Sequence, residues 1–392
     1  MRVLLTSGPV YSHFAPMLAP VAEALREAGH EVAVGTGPAL AGDLERLGLP
    51  HLALPRQVTA TERAADPEVA RRLGLTPEEL AKPVTGASFG RLFAGEAALE
   101  TAEDLLAVAV GFRPDLVVRE NAELGGYLFA EKIGVPCVTL DSAAMAPCRH
   151  PDVLPPLNAS RTAFGLSAVP DTTTLTAYPW VSWLPASWYP VQAYSPAHRH
   201  YRAPDQIGGA LDPAIATLPS DRPLVLAALG TNTGVLSHGK PPLAEIVEAL
   251  GALPVTGVVA LGSPAAVAEW DGARPGNVRL VSSVPQRLML PACDLFITHA
   301  GFGSVRETLT AGVPVVALPQ RADQPMNAQR LADLGVGITL APDEIDAATL
   351  AAACRRALAD PHFRHAAHGY QRQILALPGM DRLVADLAAV VG

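Results

Sequence analysis

Two histidines mark where this chain could do chemistry. His13 sits in Tyr11-Ser12-His13-Phe14-Ala15-Pro16, a few residues past the apolar run from Arg2 to Thr6. His299 closes a second apolar run, Leu295-Phe296-Ile297-Thr298, and opens Ala300-Gly301-Phe302-Gly303-Ser304. Imidazole titrates near neutral pH, so a histidine at a strand end is a candidate proton acceptor for a hydroxyl. The glycine-rich stretch points to a different task. Glycine at 301 and 303 removes side chains that would hold an anion off the backbone. A helix opened by Ser304-Val305-Arg306-Glu307 would present unpaired N–H groups and its positive dipole end to that anion. The stretch reads as an anion-binding turn with a histidine at its mouth.

The elements that must position these residues alternate. Arg2 to Thr6 is a strand, Pro16 suits the first turn of a helix reaching about Ala28, and Glu31 to Gly35 is the next strand. That βαβ unit places His13, in its loop, at a strand's carboxyl end, where open α/β sheets bind ligands. Pro50 to Leu54 gives a further strand, and 56–111 turns helical, with a capping-box start at Thr76-Pro77-Glu78-Glu79 and a long amphipathic helix from Ser88 to Val110. Leu116-Val117-Val118 is a strand whose end carries Arg119-Glu120-Asn121; a helix near 122–133 and the strand Val135 to Leu140 follow. Residues 141–204 lose periodicity and collect proline, tryptophan and tyrosine. Alternation restarts after 205–222 with Leu224 to Leu229, the loop Gly230-Thr231-Asn232 and a helix near 242–250. Strands near 255–260 and 278–282 lead to the glycine-rich unit, whose second strand is Val313 to Leu318. Helices near 325–335 and 346–376 precede a last one, Met380 to Val391. The pattern is α/β, with two parallel-sheet domains: 1–204, a linker at 205–222, 223–376, and a terminal helix in 377–392 expected to pack back on the first domain.

Composition narrows the options. With 392 residues and 49% hydrophobic content, each domain can bury its own core. A net charge of −9 argues against nucleic acid or an anionic membrane as the main partner, so a bound phosphate must be held by local dipoles. Cysteines 137, 148, 293 and 354 show no CxxC pair or metal-ligand spacing, which suits reduced thiols in a cytoplasmic protein. The N-terminal apolar run is too short for a signal peptide, and no stretch is long enough for a membrane span.

The ordered motifs Val284-Pro285-Gln286, His299-x-Gly301-x-Gly303-Ser304, Glu307-x-Leu309-x-x-Gly312-Val313-Pro314 and Asp323-Gln324-x-x-Asn327-Ala328 follow one another in a spacing that resembles the family-one glycosyltransferases of the GT-B fold. The likeness is closest to the bacterial enzymes that decorate natural products. Ser12-His13-Phe14-Ala15-Pro16 and Gly29-His30-Glu31-Val32 extend it to the first domain. The resemblance implies two Rossmann-like parallel-sheet domains facing across a cleft, the first binding an acceptor and the second a nucleotide-diphosphate sugar. On it, His299 and the N–H groups of Gly301, Gly303 and Ser304 would hold the diphosphate, and Thr231 would add a contact. Glu307 would take the ribose hydroxyls, Val284 would offer its backbone to the base, and Asp323 and Gln324 would bond the sugar. His13 would be the base, oriented by Glu120 where the family normally has an aspartate. Ala300 replaces a second glycine found in many relatives, and Ser283 stands where an aromatic often stacks on the base.

The expected reaction is inverting transfer of a sugar or deoxysugar from a nucleotide diphosphate, TDP before UDP, to a hydroxyl of an apolar natural product. No cofactor and no obligatory metal are expected, since the donor loops carry no DxD-like cluster, and a homodimer is left open. Two other readings stand beside it: a GT-B enzyme working on a lipid-linked or cell-wall intermediate, and a non-catalytic nucleotide-sugar-binding auxiliary protein. Plainer roles exist for single residues. His13 could cap a helix, Ser304-x-x-Glu307 is a capping-box pattern, Asp323 could form an Asx turn, Glu120 could pair with Arg119, and Trp180, Trp183 and Trp188 suit a core. A dinucleotide-dependent oxidoreductase does not fit, because Arg306 occupies the place of a third glycine.

Overall fold

The computed structural model describes residues 1–74, 82–143, 147–190, 194–204, 210–230 and 241–392. Met1–Glu79, Val84–Pro204 and Leu377–Gly392 form one compact unit; Leu80–Pro83 and Asp205–Ala376 form a second. The Thr76–Glu79 helix start lies outside the described residues.

The first unit is built on β1 (Arg2–Thr6), β2 (Glu31–Thr36), β3 (His51–Ala53), β4 (Leu116–Glu120), β5 (Cys137–Leu140), β6 (Trp180–Ser182) and β7 (His198–His200). They form one parallel sheet in the order β3-β2-β1-β4-β5-β6-β7. The second unit contains β8 (Leu224–Ala228), β9 (Thr256–Ala260), β10 (Val278–Val281), β11 (Leu295–Thr298), β12 (Val315–Ala317) and β13 (Gly337–Thr339). Its parallel order is β10-β9-β8-β11-β12-β13. Continuous apolar runs such as Val3-Leu4-Leu5 and Leu295-Phe296-Ile297 are wholly buried because helices cover both faces of such sheets. In each sheet the order reverses beside the first strand, between β1 and β4 and between β8 and β11. Loops leaving the carboxyl ends at such a reversal part and leave a crevice, where ligands bind in this fold class.

Several local expectations are corrected. The first helical stretch begins at Tyr11 rather than Pro16, so His13 lies in its opening turn, Tyr11–His13, and not in a loop. Pro16 falls within a π-helical turn, Phe14–Leu18, whose wider spacing tolerates a residue without an N–H. The long helix expected from Ser88 is interrupted: Gly86–Phe89 and a π turn precede Gly95, and Glu96–Val108 follows. Pro361 splits the 346–376 helix into Ala347–Ala359 and Pro361–Leu375, because proline cannot continue the preceding helix. Residues 141–204 hold two three-residue strands and the helix Leu154–Ala163, and 205–222 includes the short helix Pro213–Ala216. The tryptophans at 180, 183 and 188 are buried, and all four cysteines are free thiols. Helix Met380–Val391 buries Leu383 and Leu387 against helix Ala19–Glu27 of the first unit. Beside it, the Tyr201 hydroxyl donates to Asp386 Oδ2 at 2.6 Å and Arg202 N–H donates to the Pro378 carbonyl at 2.8 Å.

Candidate active site

In the first unit, the loops after β1 and β4 are tied together before they diverge. Thr6 at the end of β1 donates its hydroxyl to Glu123 Oε2 at 2.5 Å, and Gly126 N–H donates to both Glu123 carboxylate oxygens at 2.9 and 3.0 Å. Burial pushes the Glu123 carboxyl above its usual range in spite of these donors. Arg119, fully buried, donates Nη1 to the carbonyls of Glu120, Asn121 and Glu123 at 3.1, 3.2 and 3.1 Å. Its guanidinium thus shapes the loop and does not pair with the Glu120 carboxylate. That carboxylate is buried and turned toward His13, with Oε2 3.5 Å from the ring Nδ1, an ion-pair separation rather than a tight hydrogen bond. Its other oxygen lies over Gly8, 3.4 Å from where a Cβ would stand. The His13 side chain keeps 35% of its surface exposed. A carboxylate beside Nδ1 favours the tautomer with its hydrogen there, which puts the basic lone pair on Nε2.

In the second unit, His299 follows β11, and its ring fills the space between two glycines. A Cβ at Gly230 would stand 2.9 Å from the ring, and one at Gly301 only 2.5 Å from Nε2. Burial, with the Arg321 cation adding to it, lowers the His299 pKa to about 4, so the ring is neutral near pH 7. Its Nδ1 is buried with no hydrogen-bond partner among the described residues. Ala300 adopts a left-handed φ of 60°, which costs an L-residue with a side chain about 1–2 kcal/mol. This is the physical reason that glycine suits the position.

Helix Phe302–Ala311 starts two residues earlier than Ser304. Gly301 is its N-cap and no side chain caps it, so the first-turn N–H groups stay open to an incoming acceptor. The Ser304–Glu307 capping box therefore does not form. The Glu307 carboxylate instead accepts from Gln286 Nε2 at 2.6 Å and lies 3.4 Å from Arg287 Nε, and its burial raises the pKa. The same Gln286 amide donates to Ser304 Oγ at 3.3 Å, so the motif Val284-Pro285-Gln286 reaches this helix through its glutamine, with Val284 half-buried just upstream. A Cβ at Gly303 would meet nothing within 4 Å, which marks the open side of the turn.

After β12, Asp323 occupies the N-cap of helix Gln324–Asp333 but makes no capping bond; its Oδ2 accepts from Asn327 Nδ2 at 2.8 Å. Gln324 spends its carbonyl oxygen on the N–H groups of Gln320 and Arg321, at 2.9 and 3.1 Å, which leaves its amide nitrogen for a ligand. Thr231 lies outside the described residues. The roles of Gln286, Glu123 and Arg119 were not legible beforehand. Gln286 belongs to the Val284-Pro285-Gln286 motif, whereas Glu123 acts through Thr6, 117 residues away, and Arg119 through backbone carbonyls, which leave no side-chain pattern. No three His, Cys, Asp or Glu side chains gather as a metal site among the described residues, and no helix there is long and apolar enough to cross a membrane.

Residues 244–390 match the family described as erythromycin biosynthesis protein CIII-like, C-terminal domain. The chain is 30% identical over 370 residues to L-demethylnoviosyl transferase of Streptomyces niveus, covering 92% of this chain and 91% of that one. It is 29% identical over 431 residues to tylactone mycaminosyltransferase of Streptomyces fradiae, covering 99% and 92%. Among solved structures, glycosyltransferase VinC in complex with DTDP superposes with a TM-score of 0.78 at 26% identity, over 100% of this chain and 99% of that one. The chain belongs to the natural-product glycosyltransferases of the GT-B fold and is a nucleotide-sugar-dependent glycosyltransferase.

Proposed function

We propose that the protein transfers a sugar or deoxysugar, with inversion, from a nucleotide diphosphate to a hydroxyl of an apolar natural product, with His13 as the base. The observation that carries this reading is the His13–Glu120 pair: a buried carboxylate orients one ring nitrogen while the ring stays accessible. The acceptor hydroxyl gives its proton to His13 Nε2, and its oxygen bonds to the anomeric carbon on the face opposite the leaving diphosphate. The bond from that carbon to the diphosphate oxygen breaks, and the electron pair leaves with the diphosphate. The uncapped N–H groups of helix Phe302–Ala311 and the neutral His299 suit that developing charge. Glu307 on the ribose, Val284 by the base, and Asp323 with Gln324 on the sugar complete the donor contacts we assign.

TDP is favoured over UDP because a relative at 26% identity was solved with DTDP. Relatives whose names specify demethylnoviosyl and mycaminosyl transfer support a natural-product acceptor. We further propose that turnover needs no divalent ion, which a chelator-treated assay tests directly. His13→Ala should lower kcat by about 10²–10⁴-fold, the span of general-base catalysis, while calorimetry shows TDP binding unchanged. Full turnover in that variant would remove His13 from the role.

A further inference from the structure

Asn327 is wholly buried on helix Gln324–Asp333, and its side-chain amide spans two loops. Nδ2 donates to the carbonyl of Ala300 at 3.0 Å and to the Asp323 carboxylate at 2.8 Å. Both partners can only accept, so the nitrogen must face them, and the amide oxygen is left buried with no hydrogen-bond partner among the described residues. Leaving a buried acceptor unsatisfied is costly, so this placement does not optimise the stability of the side chain itself. What it accomplishes is mechanical. Ala300 is held in its left-handed conformation, φ 60°, and Ala322, next to Asp323, sits at φ 54°. Two strained loop residues thus flank the two groups that one amide joins, and strain of this kind persists where the surroundings over-determine a functional geometry.

We infer that Asn327 is a positioning residue that locks the diphosphate-binding turn at His299–Gly301 to the sugar-binding carboxylate of Asp323, so that both ends of the donor are held in one fixed spacing. This rests on the donor-site reading above. The two hydrogens of a single NH₂ group make the lock, and an aspartate in its place has none to give. At neutral pH the Asn327→Asp variant opposes the Asp323 carboxylate with a second one; at lower pH a shared proton restores one donor between them. His299 and Arg321, the titratable and charged groups in the same two loops, are unchanged in the variant and are controlled for by comparison with wild type.

The test is calorimetric binding of TDP and of TDP-glucose to the full chain between about pH 5.5 and 8. Asn327→Asp should weaken TDP-glucose binding at least about tenfold at pH 7.5 and TDP binding by less. The deficit relative to wild type should shrink several-fold by pH 5.5. Combined with Asp323→Ala, the two losses should be non-additive, since each removes the same link. If Asp323→Ala weakens TDP-glucose binding and Asn327→Asp does not, or if its deficit is independent of pH, the positioning role is overturned. If wild type binds neither probe, or Asp323→Ala leaves TDP-glucose affinity intact, the donor reading itself fails. Asn327→Ser, which keeps one small donor without adding charge, should lie between wild type and Asn327→Asp at pH 7.5. A loss as large as that of Asn327→Asp would show that donor capacity is not what matters.

Discussion

A methyl group at Gly303 would touch nothing among the described residues, whereas one at Gly301 would collide with the His299 ring. The two positions therefore separate folding from binding. Gly303→Ala should leave the melting temperature within about a degree or two and still weaken TDP binding roughly tenfold or more, because the methyl occupies space meant for a phosphate. Gly301→Ala should lower both. A Gly303→Ala protein that binds TDP normally would put the phosphate elsewhere. His299 allows a test by pH. Its folded pKa of about 4 lies below the ordinary value of 6.5, so between those limits the unfolded chain takes up a proton that the folded protein refuses. The stability it contributes is complete above about pH 6.5 and is withdrawn as pH falls toward 4. Thermal melts should show wild type losing more stability between pH 7 and 5 than His299→Gln, in which Glu307 and every other titrating group remain. Parallel curves would mean that the ring is not desolvated.

Among the elements, the carboxylate of Glu123 joins β1 to the helix that follows β4. Replacing it by alanine strands the Thr6 hydroxyl and the Gly126 N–H, two buried donors worth about 1–3 kcal/mol each. Glu123→Ala should accordingly cost about 2–6 kcal/mol in urea unfolding and also reduce kcat, since this tie joins the two segments that bear His13 and Glu120. The strands around it were readable in advance. Buried parallel strands such as Val3-Leu4-Leu5 and Leu295 to Thr298 are short apolar runs, and the loops that leave them carry the candidate catalytic and donor residues. Helix starts were less legible. Gly301 caps its helix without any side chain and Pro16 sits within a π turn, so neither leaves the usual signature. Strands β6 and β7 escaped notice because they lie in the proline- and tryptophan-rich stretch 141–204, where no apolar run bounded by turn residues stands out. His13, Glu120, His299 and Glu307 could be named from motif and position. Which hydrogen bonds fix them depends on pairings such as Gln286 with Glu307, 21 residues away in sequence.

For the molecule as a whole, the first unit is discontinuous: residues up to 204 are completed by Leu377–Gly392. Removing 377–392 uncovers the seat of Leu383 and Leu387 on helix Ala19–Glu27 and breaks the Tyr201–Asp386 hydrogen bond. Truncation there should make the first unit sensitive to limited proteolysis while fragments of 223–376 resist as they do in the full chain. Equal resistance of both units would show that the helix is dispensable. Burying two leucines contributes about 1.5–3 kcal/mol each, a large share of the margin of a marginally stable domain.

That same helix orders events during synthesis. The seat on Ala19–Glu27 is made early, but its occupant emerges only after the whole intervening stretch has been translated. At about 5–20 residues per second the wait is roughly twenty to seventy seconds. Over that interval the nascent chain exposes an apolar strip, which makes the ribosome-bound stage the point at which a chaperone would be needed most.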